Sequence, residues 1–435
     1  MGGAALRVTV TLLCVACSEP LSGGSGGPSP HLAGAGGVDS AEDVGGKDSD
    51  YVEMPVTEED AGGLPEAGLA DWVFEDTVVH EVDIRIPPES LTALEASPYV
   101  FTPADFTYDG VEMDQIGVRL RGKIGSFRAL TGKPKFKISF NQFTTDQRFY
   151  GLEELSLNNA VVDCSYLKEM LGYRVFAAAG VPSLRTAYAA VTVNSVPYGL
   201  YIVLETPDDR YLRDHYALPD GNFYDGKYVW YGGYSYTLLD FGLGVDDLYQ
   251  LEEGVDVAHV DIAGVSNAVL TAAGTDQWGA ASDAVIDWTE LHRELAAEQW
   301  VGHNDGYALN TNNYRVYFDP TDGKAEILPW DLDYGFLNDT DWGMNWATPR
   351  GTVAAACWRD AACLAAQKAA MGELIPAVEA EDLPALLERY VALGNDLAVA
   401  DPRRECAAAD MPAWQDYMRS WVANRNDAMR TWWGL

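Results

Sequence analysis

Apolar and polar residues alternate along several short stretches in the first half of the chain. Alternation with a period of two is typical of a strand that buries one face and exposes the other. The dipeptide Asn194-Ser195 separates the last two of these stretches, which predicts a turn between two paired strands. The predicted strands are residues 80–86, 118–121, 135–140, 187–193 and 198–205.

A spacing of three to four residues between apolar positions predicts helices elsewhere. Ser90 and Ser165 are placed as N-caps of two of them, and Gly180 ends the second. Strands crowd the first half and helices the second, so we predict an α+β fold with two lobes. The predicted helices are residues 90–96, 165–179, 257–273, 287–300 and an Ala-rich helical part from 354 onward; residues 311–338 read as strand, turn, strand and loop, and the rest of 206–290 as loops.

The first 17 residues have the features of a bacterial export signal. Val8 to Ala16 is an apolar run too short to span a bilayer, and Arg7 precedes it. Ala16 before Cys17 resembles a lipobox, in which Cys17 becomes an acylated N-terminus and the only membrane anchor. An ordinary signal peptide, giving a secreted protein, is the alternative. Residues 18–63, rich in Gly, Ser, Pro and acidic residues, predict a disordered tether at the cell envelope or surface, followed by a folded domain at 64–435.

The composition is strongly acidic, because 66 Asp and Glu against 29 Lys and Arg give a formal net charge of −37. Such a chain repels nucleic acid and anionic lipid head groups, so neither is expected as a partner. Seven basic residues nonetheless share one stretch, which predicts a polyphosphate-binding face on paired strands. The alternative is a solvated sheet face. The seven are Arg119, Arg121, Lys123, Arg128, Lys133, Lys135 and Lys137.

Four cysteines follow the signal region, and an even number in an exported protein favours disulfides. Cys357 and Cys363 are close enough in sequence for a local bridge, which would leave Cys164 with Cys406. A metal site is the competing interpretation. The spacing is not the CxxC pattern that zinc sites usually show.

Carboxylates and amides cluster in the segment from 298 to 333. Asp305 and Asn310 have the spacing of the protein-kinase catalytic loop, and Asp331 and Asp333 follow a predicted strand–turn–strand. In phosphoryl transfer, one carboxylate orients the acceptor hydroxyl and takes its proton. An amide oxygen and a second carboxylate hold magnesium against the phosphates. A turn, a calcium site or a surface loop would use the same residue types.

Asp240-Phe241-Gly242 spells the metal-binding triplet of kinases. It precedes Asp305, whereas a kinase carries the triplet after its catalytic loop. We therefore interpret it as a coincidence.

Several sequence blocks, in matching order and spacing, resemble the spore-coat CotH family of atypical secretory protein kinases. They span residues 115–340. The blocks are Arg121-Gly122 with Lys135 to Ile138, Leu157-Asn158-Asn159 with Asp163 and Tyr166 to Glu169, Gly180-Val181-Pro182, Asn194 with Tyr198 to Glu205, and Asn312-Asn313-Tyr314 with Pro329 to Asp333.

The resemblance implies a divergent kinase-like fold that transfers phosphate from ATP to Ser or Thr of exported proteins, with Mg²⁺ or Mn²⁺. It implies that Asp305 is the catalytic Asp, assisted by Asn310. Asp331 would be the chief metal ligand, supported by Asp333 and Asn310. These residues, ATP and an exported protein substrate are the expected components of the site.

The resemblance also assigns a nucleotide-binding region. Lys137 is predicted to contact the phosphates with Glu169 as its partner, because of the order of strand and helix, and Lys135 is the alternative. Arg121 is a further phosphate contact. The family often carries an aromatic residue six positions before the metal-binding Asp, where this chain has Ala325. Tyr201 or Trp330 would then stack on the purine.

Two other functional classes use the same features. A non-catalytic kinase-like surface-binding module is indicated by Ala325. A metal-dependent hydrolase or glycan-acting enzyme would use the carboxylates, with the aromatic stretch Tyr228 to Tyr236 as a sugar platform.

Overall fold

The computed structural model describes residues 68–435 except 124, 227–228, 232–233, 237–238, 245, 273–274 and 276–277. The predicted signal peptide and the tether at 18–63 lie outside these residues, as do the side chains of the aromatic stretch from Tyr228 to Tyr236. No helix of the described part is both long and apolar enough to cross a membrane.

Seven strands of the described residues close into a barrel in the order β1-β2-β3-β4-β5-β7-β6. All neighbours are antiparallel except β1 and β6, which pair in parallel. Alternating apolar side chains fill the interior, as expected for a small barrel. The strands are β1 (Val79–Arg85), β2 (Thr102–Tyr108), β3 (Val111–Arg121), β4 (Lys135–Ser139), β5 (Glu154–Asn158), β6 (Thr186–Val193) and β7 (Val196–Glu205).

The register of β3 and β4 decides which side chains leave the barrel. Arg121 pairs with Lys135, and Arg119 pairs with Lys137. Phe136, between the two lysines, is fully buried in the barrel core. Because successive side chains on a strand point to opposite faces, both lysines project outside the barrel.

Two helices interrupt the barrel strands, α1 (Pro88–Ala96) and α2 (Lys168–Ala179). Both begin at positions other than the predicted ones. Pro88 opens α1 because its fixed φ suits the first helical position, so Ser90 lies inside the helix. Asp163 accepts a hydrogen bond from the Lys168 backbone N–H at 2.9 Å, so α2 begins three residues after Ser165. The predicted end at Gly180 is confirmed by its left-handed φ of 76°.

A second sheet has the strand order β11-β8-β12-β13. Its last two strands are the predicted strand–turn–strand. Two others, β8 and β11, lie where the sequence predicted loops, because their pairing comes from distant partners and not from a local period. After α3 (Asp209–His215), the strands are β8 (Asn222–Gly226), the short pair β9 (Val229–Tyr231) and β10 (Tyr234–Tyr236), β11 (Tyr249–Glu253), β12 (Tyr314–Asp319) and β13 (Lys324–Pro329).

Helices dominate the second half. Asp287 caps α6 by accepting the N–H groups of Thr289 and Glu290 at 2.8 and 3.1 Å, and Gly302 ends it with a φ of 65°. The helices are α4 (Val260–Ala272), α5 (Trp278–Ser282), α6 (Trp288–Val301), α7 (Tyr307–Asn310), α8 (Thr352–Cys357), α9 (Ala361–Ala380), α10 (Leu383–Ala400) and α11 (Met411–Trp433). The predicted α+β class, with strands early and helices late, is confirmed.

A large apolar core joins the two halves. It packs α2, α6, α9, α10 and α11 against the outer face of the barrel, where Tyr188, Leu200 and Ile202 are buried. A further core lies between the second sheet and α4 to α8. Helix α2 therefore lies between the barrel and α6, where its polar end reaches the loops described below.

Both predicted disulfides are present. Cys164 is bonded to Cys406, and Cys357 to Cys363. The first bridge links the segment before α2 to the segment between α10 and α11, which are 242 residues apart in sequence.

Candidate active site

The β3–β4 hairpin meets the loop that follows β13. The ammonium of Lys135, which is fully buried, lies 2.7 Å from Asp333 Oδ2 and 3.2 Å from Asp331 Oδ1. Arg121, opposite Lys135 in the register, has its Nη2 3.9 Å from Asp331 Oδ2. Cations from early in the chain and carboxylates from late in the chain therefore share one site.

The loop carrying these carboxylates has a constrained backbone. Asp331 adopts a left-handed φ of 47°, and Leu332–Tyr334 form one turn of 3₁₀ helix. Trp330 precedes the loop, and its ring is contacted by the guanidinium groups of Arg121 and Arg315 at 4.9 and 4.3 Å from the centroid. These cation–π contacts hold the start of the loop against the hairpin.

A second loop, between α6 and β12, surrounds Asp305 with amide groups. Asn310 Nδ2 and Asn312 Nδ2 donate to Asp305 Oδ1 at 2.6 and 3.2 Å. Asn313 Nδ2 donates to the other oxygen, Oδ2, at 3.0 Å. Three amide donors fix the orientation of the Asp305 carboxylate.

Asn313 joins the two loops. Its side-chain amide also donates to the backbone carbonyl of Asp331 at 3.3 Å. Its backbone carbonyl accepts the Trp330 N–H at 3.1 Å. The pairing of Tyr314 with Pro329 explains this contact, since the residues just outside that pair must lie side by side. The β12–β13 hairpin thus brings Asp305 and Asp331 into one site.

Helix α2 contributes two charged side chains near its N-terminus. Lys168 Nζ donates to the Asp333 carbonyl at 3.1 Å. Glu169 is 1% exposed, and neither of its carboxylate oxygens has a hydrogen-bond partner among the described residues. Burial raises the pKa of Glu169 to about 8; Asp331 adds to this effect and Lys135 opposes it.

The three aspartates differ in proton affinity. Burial raises the pKa of Asp305 to about 6, while Asn310 and Asn312 oppose this by donating to the carboxylate. Burial also raises the pKa of Asp333 to about 7, with the charge of Asp331 adding to it. Burial acts to raise the pKa of Asp331 as well, but Lys135 and Arg121 outweigh it and hold the pKa below its ordinary value.

The structure gives different ion-pair partners to the three lysines that the sequence placed on one face. Lys137 pairs with Glu154 at 2.6 Å, and Lys133 pairs with Asp401 at 2.5 Å. Lys135 reaches Asp331 and Asp333 instead. Lys135 and Lys137 do lie on the same outer face of the barrel, but each of the three lysines is paired with a different acidic side chain.

The aromatic residues proposed for purine stacking are buried. Tyr201 lies in the barrel core and donates its hydroxyl to the Pro134 carbonyl at 2.9 Å. Trp330 is 9% exposed and is contacted by Arg121 and Arg315. Ala325 is 3% exposed and packs in the core beside the second sheet.

Asp240 of the triplet Asp240-Phe241-Gly242 lies in a separate environment. Its Oδ2 accepts the backbone N–H and the hydroxyl of Thr352 at 2.7 and 2.6 Å. Its Oδ1 accepts the hydroxyl of Tyr307 at 3.3 Å. This carboxylate caps the start of α8, a structural role consistent with a coincidental match.

The donor set around Asp331 fits a divalent cation and phosphate. Asp331 and Asp333 supply carboxylate oxygens, which magnesium prefers, and the Lys135 ammonium already bridges them. Asn310 donates its side-chain amide nitrogen to Asp305, so its side-chain oxygen faces away from Asp305. Arg121 Nη1 is buried without a hydrogen-bond partner among the described residues, so it is available to an anion.

A metal site at the cysteines is not supported. Among the described residues, His292, Cys357 and Cys363 are the only group of three or more His, Cys, Asp or Glu residues whose ligand atoms lie within 4.8 Å of one another. Both sulfurs are bonded to each other. A disulfide sulfur is not the thiolate that a metal requires.

Sequence reasoning assigned no role to two residues. Asn313 was noted only within an Asn-rich segment and a family block, and its position next to a strand was the available signal. Asn159 was noted only in a family block, yet its buried amide donates to the carbonyls of Lys133 and Ser126 at 2.6 and 3.2 Å. It holds both ends of the loop between β3 and β4.

This protein is of the α+β class. Its polar site is formed where the cationic β3–β4 hairpin of the barrel contacts the acidic loop after β13, beside the amide-bound carboxylate of Asp305. The family model described as "CotH kinase protein" matches residues 118–429, which include every residue of this site. The chain belongs to the CotH kinase family.

A curated relative is the inner spore coat protein H of Bacillus subtilis (strain 168). It is 27% identical to this chain over 206 residues, which is 46% of this chain and 54% of that protein. The chain thus spans about half the length of this relative.

A solved structure, the Shewanella oneidensis MR-1 toxin–antitoxin system HipA, HipB and its operator DNA complex, is also similar. The alignment covers 71% of this chain and 68% of that chain at 14% identity, with a TM-score of 0.28. A likeness this weak carries no argument about fold or function.

Proposed function

We propose that this protein is an exported kinase that transfers the terminal phosphate of ATP to Ser or Thr hydroxyls of extracytoplasmic proteins. The observation that carries the proposal is the Lys135 ammonium bridging Asp331 and Asp333 beside the amide-bound carboxylate of Asp305. Membership of a kinase family supports ATP as the phosphate donor.

Asp305 is the residue that receives the acceptor proton. Its carboxylate is held by three amides, so its orientation is set before the substrate hydroxyl arrives. Accepting the proton as the oxygen attacks phosphorus increases the nucleophilicity of the hydroxyl.

Asp331, Asp333 and Asn310 would hold Mg²⁺ or Mn²⁺, which neutralises charge on the phosphates when it is bound. Lys135 and Arg121 add positive charge on the hairpin side of the same site. Desolvation strengthens these interactions, because the Lys135 side chain is fully shielded from solvent.

Of the two lysines proposed for phosphate binding, we favour Lys135. It is the one beside the acidic loop, and the negative charge of Glu169 on α2 acts to raise the pKa of Lys135. The carboxylate oxygens of Glu169 have no hydrogen-bond partner among the described residues, so Glu169 would be an alternative acceptor for Lys135 if the aspartates held a metal. Lys137 is already paired with Glu154 on the neighbouring strand.

Export is part of the proposal. Two disulfides in the described residues suit an oxidising compartment outside the cytoplasm. An acyl group at Cys17 would anchor the folded domain through the tether at 18–63.

The test is transfer of radiolabelled γ-phosphate to the protein itself or to an added exported protein, with Mg²⁺ or Mn²⁺. We expect labelling by the wild type and a loss of about 100-fold or more in Asp305→Asn. Asp322→Asn is the matched control, because Asp322 lies in the exposed β12–β13 turn and is expected to leave labelling unchanged. Full labelling by Asp305→Asn would contradict the assignment, and phosphate release without labelled protein would favour a hydrolase.

A non-catalytic binding module is the second candidate, because both aromatic residues proposed for the purine are buried. Titration calorimetry with ATP and Mg²⁺ separates the two. Absence of heat, together with absence of thermal stabilisation at millimolar nucleotide, would favour the binding module.

A further inference from the structure

A short connector between α10 and α11, residues 401–406, packs against the loop that joins β3 to β4. Asp401 of the connector accepts the Lys133 ammonium at 2.5 Å, and both side chains are fully buried. Lys133 also donates to the Leu200 carbonyl at 2.6 Å and to the Tyr166 hydroxyl at 3.1 Å. Three acceptors satisfy all three ammonium protons, so the pair is a fixed structural contact.

The barrel is shaped to admit Asp401. Gly199 on β7 has a φ of 98°, and a Cβ at this position would lie 2.0 Å from the Asp401 carboxylate carbon. The next N–H, of Leu200, donates to Asp401 Oδ2 at 3.2 Å. A side chain at position 199 would occupy the space of the Asp401 carboxylate, so glycine is needed there for Asp401 to reach Lys133.

Two more connector side chains hold the same loop, defined here as the hairpin loop, residues 125–134. Arg403 donates to the carbonyls of Leu130, at 3.1 Å, and of Gly132. Glu405 forms a paired salt bridge with Arg128, with one of its two contacts at 2.5 Å. The connector therefore forms hydrogen bonds or ion pairs with the hairpin loop at several positions between Arg128 and Lys133.

The connector is itself fastened covalently. Cys406 is bonded to Cys164, which precedes α2. The same segment contains Asp163, which caps α2 by accepting the Lys168 N–H at 2.9 Å. The disulfide thus ties the connector to the base of the helix that carries Lys168 and Glu169.

The hairpin loop also approaches the acidic loop. A Cβ on Gly125 would lie 2.4 Å from the hydroxyl of Tyr334, the residue after Asp333. Lys135, which contacts Asp333, directly follows the hairpin loop. The hairpin loop is therefore in contact with the connector and next to the residues proposed to hold the phosphates.

We propose that the connector positions the hairpin loop over the phosphates of the bound nucleotide, and that the Cys164–Cys406 disulfide fixes the connector in that position. This inference rests on the proposed kinase function. Connector residues touch neither nucleotide nor acceptor and act through the loop, so they are positioning residues. Loosening them weakens nucleotide binding while the chemistry at Asp305 is retained.

The experiment compares two double variants that each remove one disulfide, Cys164→Ser/Cys406→Ser and the control Cys357→Ser/Cys363→Ser. Steady-state kinetics are measured with ATP as the varied substrate. We expect the first variant to raise KM for ATP about tenfold with kcat within about twofold of wild type, and the control to change neither. An unchanged KM in the first variant, or an equal rise in both, would overturn the inference.

Amide hydrogen exchange supplies a readout independent of activity. In the nucleotide-free protein, we expect faster exchange across residues 125–134 in the first double variant and wild-type rates there in the control. An inactive wild type whose hairpin loop still exchanges faster after the first substitution would refute the kinase proposal but support the mechanical link. Unchanged exchange would refute the link whatever the activity.

Glu405→Gln provides a second variant that preserves folding, because the Arg128–Glu405 pair is partly exposed and such pairs contribute little to stability. We expect exchange around Arg128 to rise and KM for ATP to increase by about two- to threefold. Wild-type values for both quantities would count against the connector as a positioning device.

Discussion

Lys133 and Lys135 lie two residues apart in the chain, and both are buried ion-pair partners, yet their surroundings differ. Lys133 meets one carboxylate and two neutral acceptors, and its partner Asp401 has no solvent-exposed surface. Lys135 meets two carboxylates, and Asp331 keeps 18% of its side chain exposed. The first pair is closed to solvent and to ligands, whereas the second opens toward them.

The difference indicates that two lysines at the start of β4 have separate roles, one in stability and one in activity. A closed pair with every donor satisfied makes a rigid contact, and losing one partner leaves an uncompensated charge. The open pair holds carboxylates that a cation and phosphates can engage, and the Glu169 carboxylate beside it has no hydrogen-bond partner in the part of the chain that the structure describes. Stability is therefore expected to depend more on Lys133, and activity more on Lys135.

The largest expected effect on stability is in Asp401→Asn. Removing this charge leaves the Lys133 ammonium buried beside neutral groups, so we expect the free energy of unfolding to fall by about 3–5 kcal/mol. Denaturant unfolding measures it. Asp396→Asn, on the exposed face of α10, is the control and is expected to change stability by less than about 0.5 kcal/mol. Equal effects in both would remove the distinction between the two lysine pairs.

Lys135→Met tests the open pair. We expect phosphate transfer to fall by about 100- to 1,000-fold, because a buried charge beside the phosphates is lost. Lys137→Met is the matched control, since Lys137 lies two residues along the same strand and pairs with Glu154. Activity should be measured well below the melting temperature of each variant. A severe loss in Lys137→Met with an active Lys135→Met would reverse our assignment.

Gly199→Ala sharpens the account of the closed pair. A methyl group there meets the Asp401 carboxylate and imposes a left-handed φ on a residue with a side chain, so we expect a loss of about 1–3 kcal/mol. Gly264→Ala on α4 is the control: a Cβ there meets nothing within 4 Å, and we expect a gain of about 0.5–1 kcal/mol. Thermal unfolding of both variants measures the contrast. A tolerated Gly199→Ala would mean that Asp401 can withdraw without cost.

The smallest expected effect concerns three buried glutamates on α6 that form no ion pair with a lysine among the described residues. Burial raises the pKa of Glu298 to about 8, and burial also raises the pKa of Glu290 and Glu294 well above the ordinary value. A raised folded-state pKa gives stability that is present below the unfolded pKa and is lost as pH rises through the folded value. We therefore expect the melting temperature to fall between about pH 5 and pH 8.

Glu294→Gln isolates part of this pH dependence. The variant keeps the shape of the neutral side chain and removes one titrating group, so its melting temperature should fall less steeply over the same pH range. Melting curves at matched ionic strength compare the two proteins. Identical slopes would show that folding does not raise the pKa of Glu294.

Much of the local structure could be predicted because it depends on neighbouring residues. Alternating side chains identified the barrel strands β1, β3, β4, β6 and β7, and Asp287 with Gly302 bounds α6. By contrast, β8 forms by pairing with β12 and β11 forms by pairing with β8, so no local period revealed them. The starts of α1 and α2 were misplaced, because Pro88 opens α1 and Asp163 accepts the Lys168 N–H at the start of α2.

The candidate site divides in the same way. The spacing of Asp305, Asn310, Asp331 and Asp333 could be recognised along the chain, and the two disulfide pairings could be inferred from the cysteine positions. The link through Asn313 could not be predicted, because it depends on the register of β12 against β13.

The sequence by itself determined the α+β class, five of the seven barrel strands, the disulfides and the residue types available for phosphate and metal. Only the tertiary structure decided which lysine meets the carboxylates. Strand periodicity places Lys133, Lys135 and Lys137 on one face, but a side chain forms its ion pair with whichever acid the folded chain brings within reach. Asp401, Asp333 and Glu154 come from three distant segments, and their positions are set by packing rather than by local spacing.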